Sequence, residues 1–184
     1  MMKRAARYAV LAATMAWAGL PVAAAAQPQQ VRSVLPQATL GGQGRLTFWG
    51  FHVYDASLWI TPGFKAAEYE GHAFALELHY LRDFTNEAIA ERSIAEMQRL
   101  QGASAAQLAA WQVLLREVIP DIKKGDRVVG IHRPGTGVVF FTNGQATGTI
   151  RDPDFGRMFF GIWLSTSTSE PRLREALLAR VTTP

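Results

Sequence analysis

Three long polar side chains lie among the aromatic residues of predicted strands. Arg45, Tyr54 and Tyr80 would project a guanidinium and two phenols from neighbouring strands into an apolar cleft. Such groups bind a carboxylate or carbonyl oxygen, while Phe and Trp side chains hold the rest of an apolar ligand. On an unbroken strand Arg45 and Tyr54 fall on opposite faces, so their convergence requires a kink at Gly50. The alternative is a solvated Arg45 and two core tyrosines whose hydroxyls are satisfied within the protein.

Other residue types that carry chemistry are sparse. Asp55 lies inside the apolar run FHVYDASLW, which favours a structural role in which the carboxylate binds backbone groups near a bulge or strand end. A general base is the alternative role for this residue. The chain has no cysteine, which excludes thiol nucleophiles and thiolate metal sites. No cofactor and no metal site is predicted, because the chain lacks a complete dinucleotide fingerprint and its four histidines have no ligand spacing: His52, His72, His79 and His132.

The first 26 residues have the pattern of a cleavable secretory signal. Lys3, Arg4 and Arg7 give a positive start, residues 8–20 are uncharged and mostly apolar, and residues 23–26 are four alanines. A membrane anchor is the alternative, but a spanning helix needs about 20 apolar residues. The pattern therefore predicts cleavage near Ala26 and a periplasmic protein.

The predicted signal also carries most of the excess positive charge. Three of the 19 Lys and Arg residues lie within it, which leaves 16 cations against 15 Asp and Glu. A nearly neutral mature chain without basic runs disfavours nucleic acid as a partner. No second hydrophobic stretch approaches spanning length, so the mature protein is expected to have no transmembrane segment.

The order of predicted elements indicates an α+β fold. Residues 40–63 are rich in Phe, Trp, Val and Tyr, and residues 74–81 alternate between apolar and polar positions. Because no helix crosses between successive strands, an antiparallel sheet with helices on one face fits best. The predicted organisation is a signal over 1–26, a loose lead over 27–39 and one domain over 40–184. Within it we predict helices that begin after Thr85, Ser104, Asp152 and Ser169, and strands over residues 127–133, 137–142 and 145–150.

Four segments in this order resemble the chalcone isomerase-like family, in particular its exported bacterial members. They are LGGQGRLTFWGFHVYDASLW, YLRDFTNEAIAERSIAEM, GDRVVGIHRPGTGVVFFTNG and DFGRMFFGIWLSTSTSEPRLREALL, and the resemblance extends from about residue 40 to residue 179. It implies an open-faced β-sandwich, in which a curved antiparallel sheet and a helical layer enclose a ligand cleft.

The resemblance also has implications for activity. Catalytic members of the family stabilise an enolate with an arginine in the first strands, assisted by a threonine, a tyrosine and an asparagine. Arg45 matches the arginine, whereas Tyr54, Thr85 and Arg92 fall where the other three are expected. Most of the catalytic hydrogen-bonding set is thus missing. A non-catalytic branch binds fatty acids through an arginine and a tyrosine, with which Arg45 and Tyr54 are compatible.

Three functions remain open from the sequence. The leading hypothesis is a non-catalytic periplasmic protein that binds a hydrophobic small molecule with a polar head, such as a fatty acid, through Arg45, Tyr54 and Tyr80. The second is an intramolecular lyase of the chalcone isomerase type, in which Arg45 stabilises the enolate of an enone and Tyr54 donates a proton. The third is a ligand-free interaction module that presents FGRMFFGIWL, residues 155–164, to an envelope protein partner.

Overall fold

One antiparallel sheet forms the framework of the protein, and its six strands lie side by side in the order in which they occur along the chain. The computed structural model describes residues 26–181, so the predicted secretory signal lies almost wholly outside the described residues. The α+β architecture expected from the sequence is confirmed. The strands are β1 (Thr39–Phe48), β2 (Phe51–Ile60), β3 (Phe74–Tyr80), β4 (Arg127–Arg133), β5 (Gly137–Thr142) and β6 (Gln145–Ile150).

The described part of the chain has five α-helices beside the sheet, and three of them are capped by side chains that the sequence predicts as caps. The Thr85 hydroxyl accepts from the Ala88 amide, and Ser104 and Gln107 form a reciprocal capping box. None of the helices within residues 26–181 is long and apolar enough to cross a membrane. The helices are α1 (Gln29–Val34), α2 (Asn86–Leu100), α3 (Ala105–Val118), α4 (Pro153–Leu164) and α5 (Pro171–Leu177), with a short 3₁₀ segment at Ala66–Gly71.

The aromatic face of α4 packs against the middle of the sheet and forms the centre of the core. Phe160 meets Phe74 of β3 edge-to-face at a centroid distance of 4.7 Å, and Phe159 meets Phe140 of β5 in the same way at 5.4 Å. These rings are fully or almost fully buried. The apolar residues of 155–164 therefore pack within the domain, and this segment does not form an exposed surface for a partner.

The opposite face of the sheet is covered in part by α1. Val31 is completely buried against Trp59 of β2 and Ile131 of β4. Residues 27–39 are therefore not the loose lead expected from their polar, proline-containing composition. The burial of Val31, and of Ala38 after the helix, stabilises a short helix that the sequence pattern alone does not reveal.

Two glycines of β1 allow α5 to lie directly on that strand. A Cβ atom on Gly42 would overlap the carbonyl oxygen of Ala176, and one on Gly44 would lie 2.6 Å from Leu173. The glycines near residue 42 thus permit close packing of a helix. They also lie at a bulge between Leu40 and Gly42.

Asp152 connects α3 to α4. Its carboxylate accepts from the amides of Asp154 and Phe155 at the start of α4, and also from the indole Nε1–H of Trp111 at 2.8 Å. One side chain thus caps a helix and satisfies a buried indole of another helix.

We expect Asp152→Ala to lower the free energy of unfolding by about 2–4 kcal/mol, because it removes a helix cap and leaves the Trp111 N–H without an acceptor. Asp152→Asn keeps an oxygen for the cap and loses only the second acceptor, so its loss should be intermediate. Urea unfolding followed by circular dichroism measures both. An alanine variant as stable as the wild type would contradict this role.

Candidate ligand-binding site

A cavity of about 290 Å³ lies between the sheet and the helical layer. Its walls come from β1 to β4 on one side and from α2 and α4 on the other. Most of the lining is apolar and mixes aliphatic and aromatic side chains, as in sites for small molecules. The apolar lining residues are Leu46, Phe48, Val53, Leu78, Phe84, Ala88, Ile89, Ile119, Val128, Phe159 and Ile162.

Two tyrosines form the inner wall of this cavity on the sheet side. Tyr54 and Tyr80 face each other across β2 and β3, and their rings meet edge-to-face at 5.7 Å. Both are more than nine-tenths buried, and burial raises the pKa of each phenol well above its usual value. Both therefore remain neutral at physiological pH.

The Tyr54 hydroxyl is held by Trp163 of α4. The indole Nε1–H donates to the phenol oxygen at 2.9 Å, and this bond is buried. Because the indole is only a donor, Tyr54 keeps its own proton for another acceptor. Among residues 26–181 no acceptor for that proton is found, which leaves a donor on the cavity wall.

Charged and hydroxyl groups gather at one end of the cavity. Arg92, Ser93 and Glu96 lie on one side of α2, and Ser169 and Glu170 precede α5. Arg92 and Glu96 are four residues apart, which places them on the same face of the helix. The electrostatic influence of Arg92 and of Glu170 reaches the Tyr54 phenol, since the former lowers the pKa of Tyr54 and the latter raises it.

Glu96 is the buried member of this cluster, with a side chain 9% exposed. One carboxylate oxygen lies 2.6 Å from Nη2 of Arg92; the other accepts from the Ser169 hydroxyl at 2.8 Å and lies 3.8 Å from Nε of Arg99. Two arginines thus neutralise one carboxylate. Arg92 is the only cation that lines the cavity among the described residues.

The cavity opens between the β1–β2 turn and α2. Phe48, Ala88 and Arg92 are the lining residues that are exposed to solvent, whereas Tyr54 and Tyr80 are buried. The apolar part is therefore deep, and Arg92 lies at the entrance.

Arg45 does not reach this cavity, so its expected convergence with Tyr54 and Tyr80 does not occur. In β1 and β2 Leu46 is paired with Tyr54 on the cavity side, and Arg45 is paired with Asp55 on the opposite face. Gly50 belongs to the turn that separates the two strands and does not bend β1 toward the cavity. Arg45 is half exposed and makes two hydrogen bonds to Asp55, of 2.5 and 2.9 Å.

Asp55 therefore binds a guanidinium, not the backbone groups expected from its position. Hydrogen bonding from Arg45 lowers the pKa of its carboxyl below the ordinary value, although partial burial opposes this shift. Thr85, one of the four residues at catalytic positions of the resemblance, caps α2.

No group of three potential metal ligands occurs within residues 26–181. His132 is the buried histidine, and its Nδ1 lies 2.8 Å from the carbonyl oxygen of His72, so this nitrogen carries the proton and donates it. Desolvation lowers the pKa of His132, and the imidazole is packed as a neutral core residue between Phe74 and Phe160.

Glu96, Trp163 and Ser169 were not identified as site residues from the sequence. The Arg92–Glu96 spacing was visible, but it is also the spacing of ordinary surface ion pairs on helices. Only the packing of α2 over the sheet shows that this pair borders a cavity.

We expect Tyr54→Phe to lower the free energy of unfolding by about 1–3 kcal/mol, because it leaves the buried Trp163 N–H without an acceptor. Tyr80→Phe is the matched control: its hydroxyl makes no hydrogen bond to any residue from 26 to 181, so the loss should be clearly smaller. Urea unfolding of delipidated protein measures both. Equal losses for the two variants would contradict the assignment.

Two comparisons with known proteins identify the fold and the family, whereas no curated protein sequence matches the chain. The crystal structure of a fatty-acid binding protein from Arabidopsis thaliana is similar, with a TM-score of 0.57 at 14% identity, over 77% of this chain and 87% of that one. At this identity the likeness shows the fold. Residues 20–179 match the family described as chalcone isomerase-like. The chain therefore belongs to the chalcone isomerase-like family.

Proposed function

We propose that this protein is a non-catalytic binding protein of the cell envelope that holds an amphipathic small molecule, such as a fatty acid, in the cavity between its sheet and helices. The observation that carries the proposal is the arrangement of one apolar cavity with a single polar end at its entrance. A fatty-acid binding protein of similar fold is consistent with it.

The apolar chain of the ligand occupies the deep part of the cavity. Leu78, Val128 and Phe159 line this part and are buried, so an acyl chain there contacts mainly apolar side chains. Each methylene removed from water stabilises such a complex by about 0.8 kcal/mol. A volume of about 290 Å³ lies at the lower end of the range for small-molecule sites.

The polar head of the ligand meets Arg92 at the entrance. Its ion pair with Glu96 uses Nη2, and a guanidinium has further N–H groups that can bind a carboxylate. Because Arg99 and Ser169 also hold Glu96, Arg92 can turn toward a ligand without leaving that buried acid unpaired. The free proton of Tyr54 supplies a second donor.

The geometry favours binding over lyase chemistry. The arginine that would stabilise an enolate, Arg45, lies on the other face of the sheet in an ion pair with Asp55. Tyr54, the expected proton donor, has its oxygen bound to Trp163, and burial raises the pKa of its phenol.

We expect Arg92→Gln to weaken binding of a long-chain fatty acid by about tenfold to a hundredfold, because a hydrogen bond to a charged group contributes about 1.5–3 kcal/mol. The measurement is displacement of a fluorescent fatty acid from delipidated protein. Arg45→Gln is the matched control, since it removes one cation that lies on the other face of the sheet and does not line the cavity. This variant should bind as the wild type does.

Organic extracts of the purified protein, analysed by mass spectrometry, should contain an acyl ligand. The proposal fails if neither the purified protein nor lipid-incubated protein retains such a ligand. Equal affinity of Arg92→Gln and wild type would show that the head group of the ligand does not bind Arg92.

The envelope location follows from the predicted signal over residues 1–26. When the full chain is expressed in a Gram-negative host, the protein in the periplasmic fraction should have an N-terminus at Gln27, as determined by Edman sequencing. Replacing Ala24 and Ala26 with bulky residues should block processing, because signal peptidase accepts only small side chains there. Accumulation of an unprocessed wild-type chain in the cytoplasm would contradict export.

A further inference from the structure

The turn between β1 and β2 exposes a cluster of aromatic rings. Four large hydrophobic residues are exposed among residues 26–181, and three of them lie in this turn: Phe48 at 49%, Trp49 at 86% and Phe51 at 59%. The fourth, Val113, stands alone on α3. We call residues 48–51 the hairpin tip.

The backbone of the hairpin tip places a tryptophan where a smaller polar residue is usual. Trp49 and Gly50 have φ angles of 50° and 79°, the signs of a two-residue turn that prefers Asn-Gly. The β5–β6 turn of the same chain uses that preferred pair, Asn143 and Gly144, at φ angles of 50° and 83°. Trp49 is therefore strained in its backbone and almost fully exposed, and neither the turn nor the core accounts for it.

Two arginines lie beside the exposed rings. The guanidinium of Arg82 lies 4.6 Å from the centroid of Phe51, and that of Arg92 lies 5.6 Å from the centroid of Phe48. Arg82 forms no ion pair within the described part of the chain. Aromatic rings beside cations have the chemistry of the boundary between lipid headgroups and acyl chains.

The hairpin tip is continuous with the cavity entrance, because Phe48 belongs to both. A surface that covers the tip would therefore lie directly over the entrance. An amphipathic ligand could then pass between that surface and the cavity without crossing water.

We propose that the hairpin tip docks on an anionic phospholipid bilayer, with Trp49 at the headgroup–acyl boundary and Arg82 on the headgroups. A stable protein interface buries about 800 Å² on each partner, and three partly exposed rings at the end of a hairpin provide less than this. Shallow insertion into a bilayer needs only the rings and the flanking cations. Docking itself is independent of the proposed function, whereas transfer of a ligand rests on it.

The test is flotation of the full chain, and of variants made in it, with vesicles of equimolar phosphatidylglycerol and phosphatidylcholine. Trp49→Asn should reduce vesicle binding about tenfold or more, since it removes the most exposed ring. The fold should be kept, because Asn143 occupies the same backbone geometry in the β5–β6 turn. Arg82→Gln should weaken binding to these vesicles about fivefold and leave the weaker binding to pure phosphatidylcholine unchanged.

Quenching by brominated lipids provides a second measurement. Trp59, Trp111 and Trp163 are buried, and Trp17 of the predicted signal is the same in both proteins, so the part of the quenching that is lost in Trp49→Asn reports contact of Trp49 with the acyl region. Equal flotation together with equal quenching of wild type and Trp49→Asn overturns the proposal, because residues 1–26 are the same in both and cannot produce a difference in quenching. Wild-type protein that does not float, or whose tip binds only another protein, also overturns it.

The two proposals fail separately. Fatty-acid affinity in vesicle-free buffer tests the cavity, and neither Trp49 nor Arg82 lines it. Vesicle binding without acyl binding would contradict the proposed function and support docking. Acyl binding without vesicle binding would contradict docking and support the proposed function.

Discussion

The register between β1 and β2 determines what the cavity can bind. Side chains along a strand alternate between faces, so the pairing of Leu46 with Tyr54 assigns both to the cavity and sends Arg45 and Asp55 to the other side. A shift of β1 by one residue against β2 would instead turn Arg45 toward the cavity and Leu46 away from it. In the observed register the cation at the cavity comes from the helical layer, where Arg92 of α2 provides it.

The cavity is also maintained by hydrogen bonds between the elements that surround it. Trp163 binds the Tyr54 oxygen and connects α4 to β2. The hydrogen bond from Ser169 to Glu96 connects α2 to the segment before α5, and two arginines of α2 neutralise Glu96. These bonds connect the elements around a space that apolar side chains alone would tend to fill. Specific hydrogen bonds between elements thus maintain a cavity beside an otherwise well-packed aromatic core.

Local sequence patterns predicted most of the fold. The caps at Thr85, Ser104 and Asp152 and the Asn143–Gly144 turn depend only on neighbouring residues, so the elements that they delimit could be placed from the sequence. The family resemblance added the layered architecture. The site was less accessible, because the face on which Arg45 lies depends on whether Gly50 bends one strand or separates two. Helix α1 was not predicted for a related reason. It is stabilised by the burial of Val31 on a distant part of the sheet, and its sequence has no periodic pattern that indicates a helix.

The position of α5 has a consequence for the order in which the chain can assemble. This helix is the last element of the described residues and lies on β1, the first strand of the sheet. The amide of Arg180, just after the helix, donates to the carbonyl of Gly41 at 2.8 Å. Until residues 171–180 are available, the face of β1 that contains Gly42 and Gly44 is uncovered and the Gly41 carbonyl lacks this partner. The first strand and the last helix of the described domain therefore pack against each other. A chain that is being synthesised or translocated cannot complete this packing before residues 171–180 have emerged from the ribosome or the translocation channel.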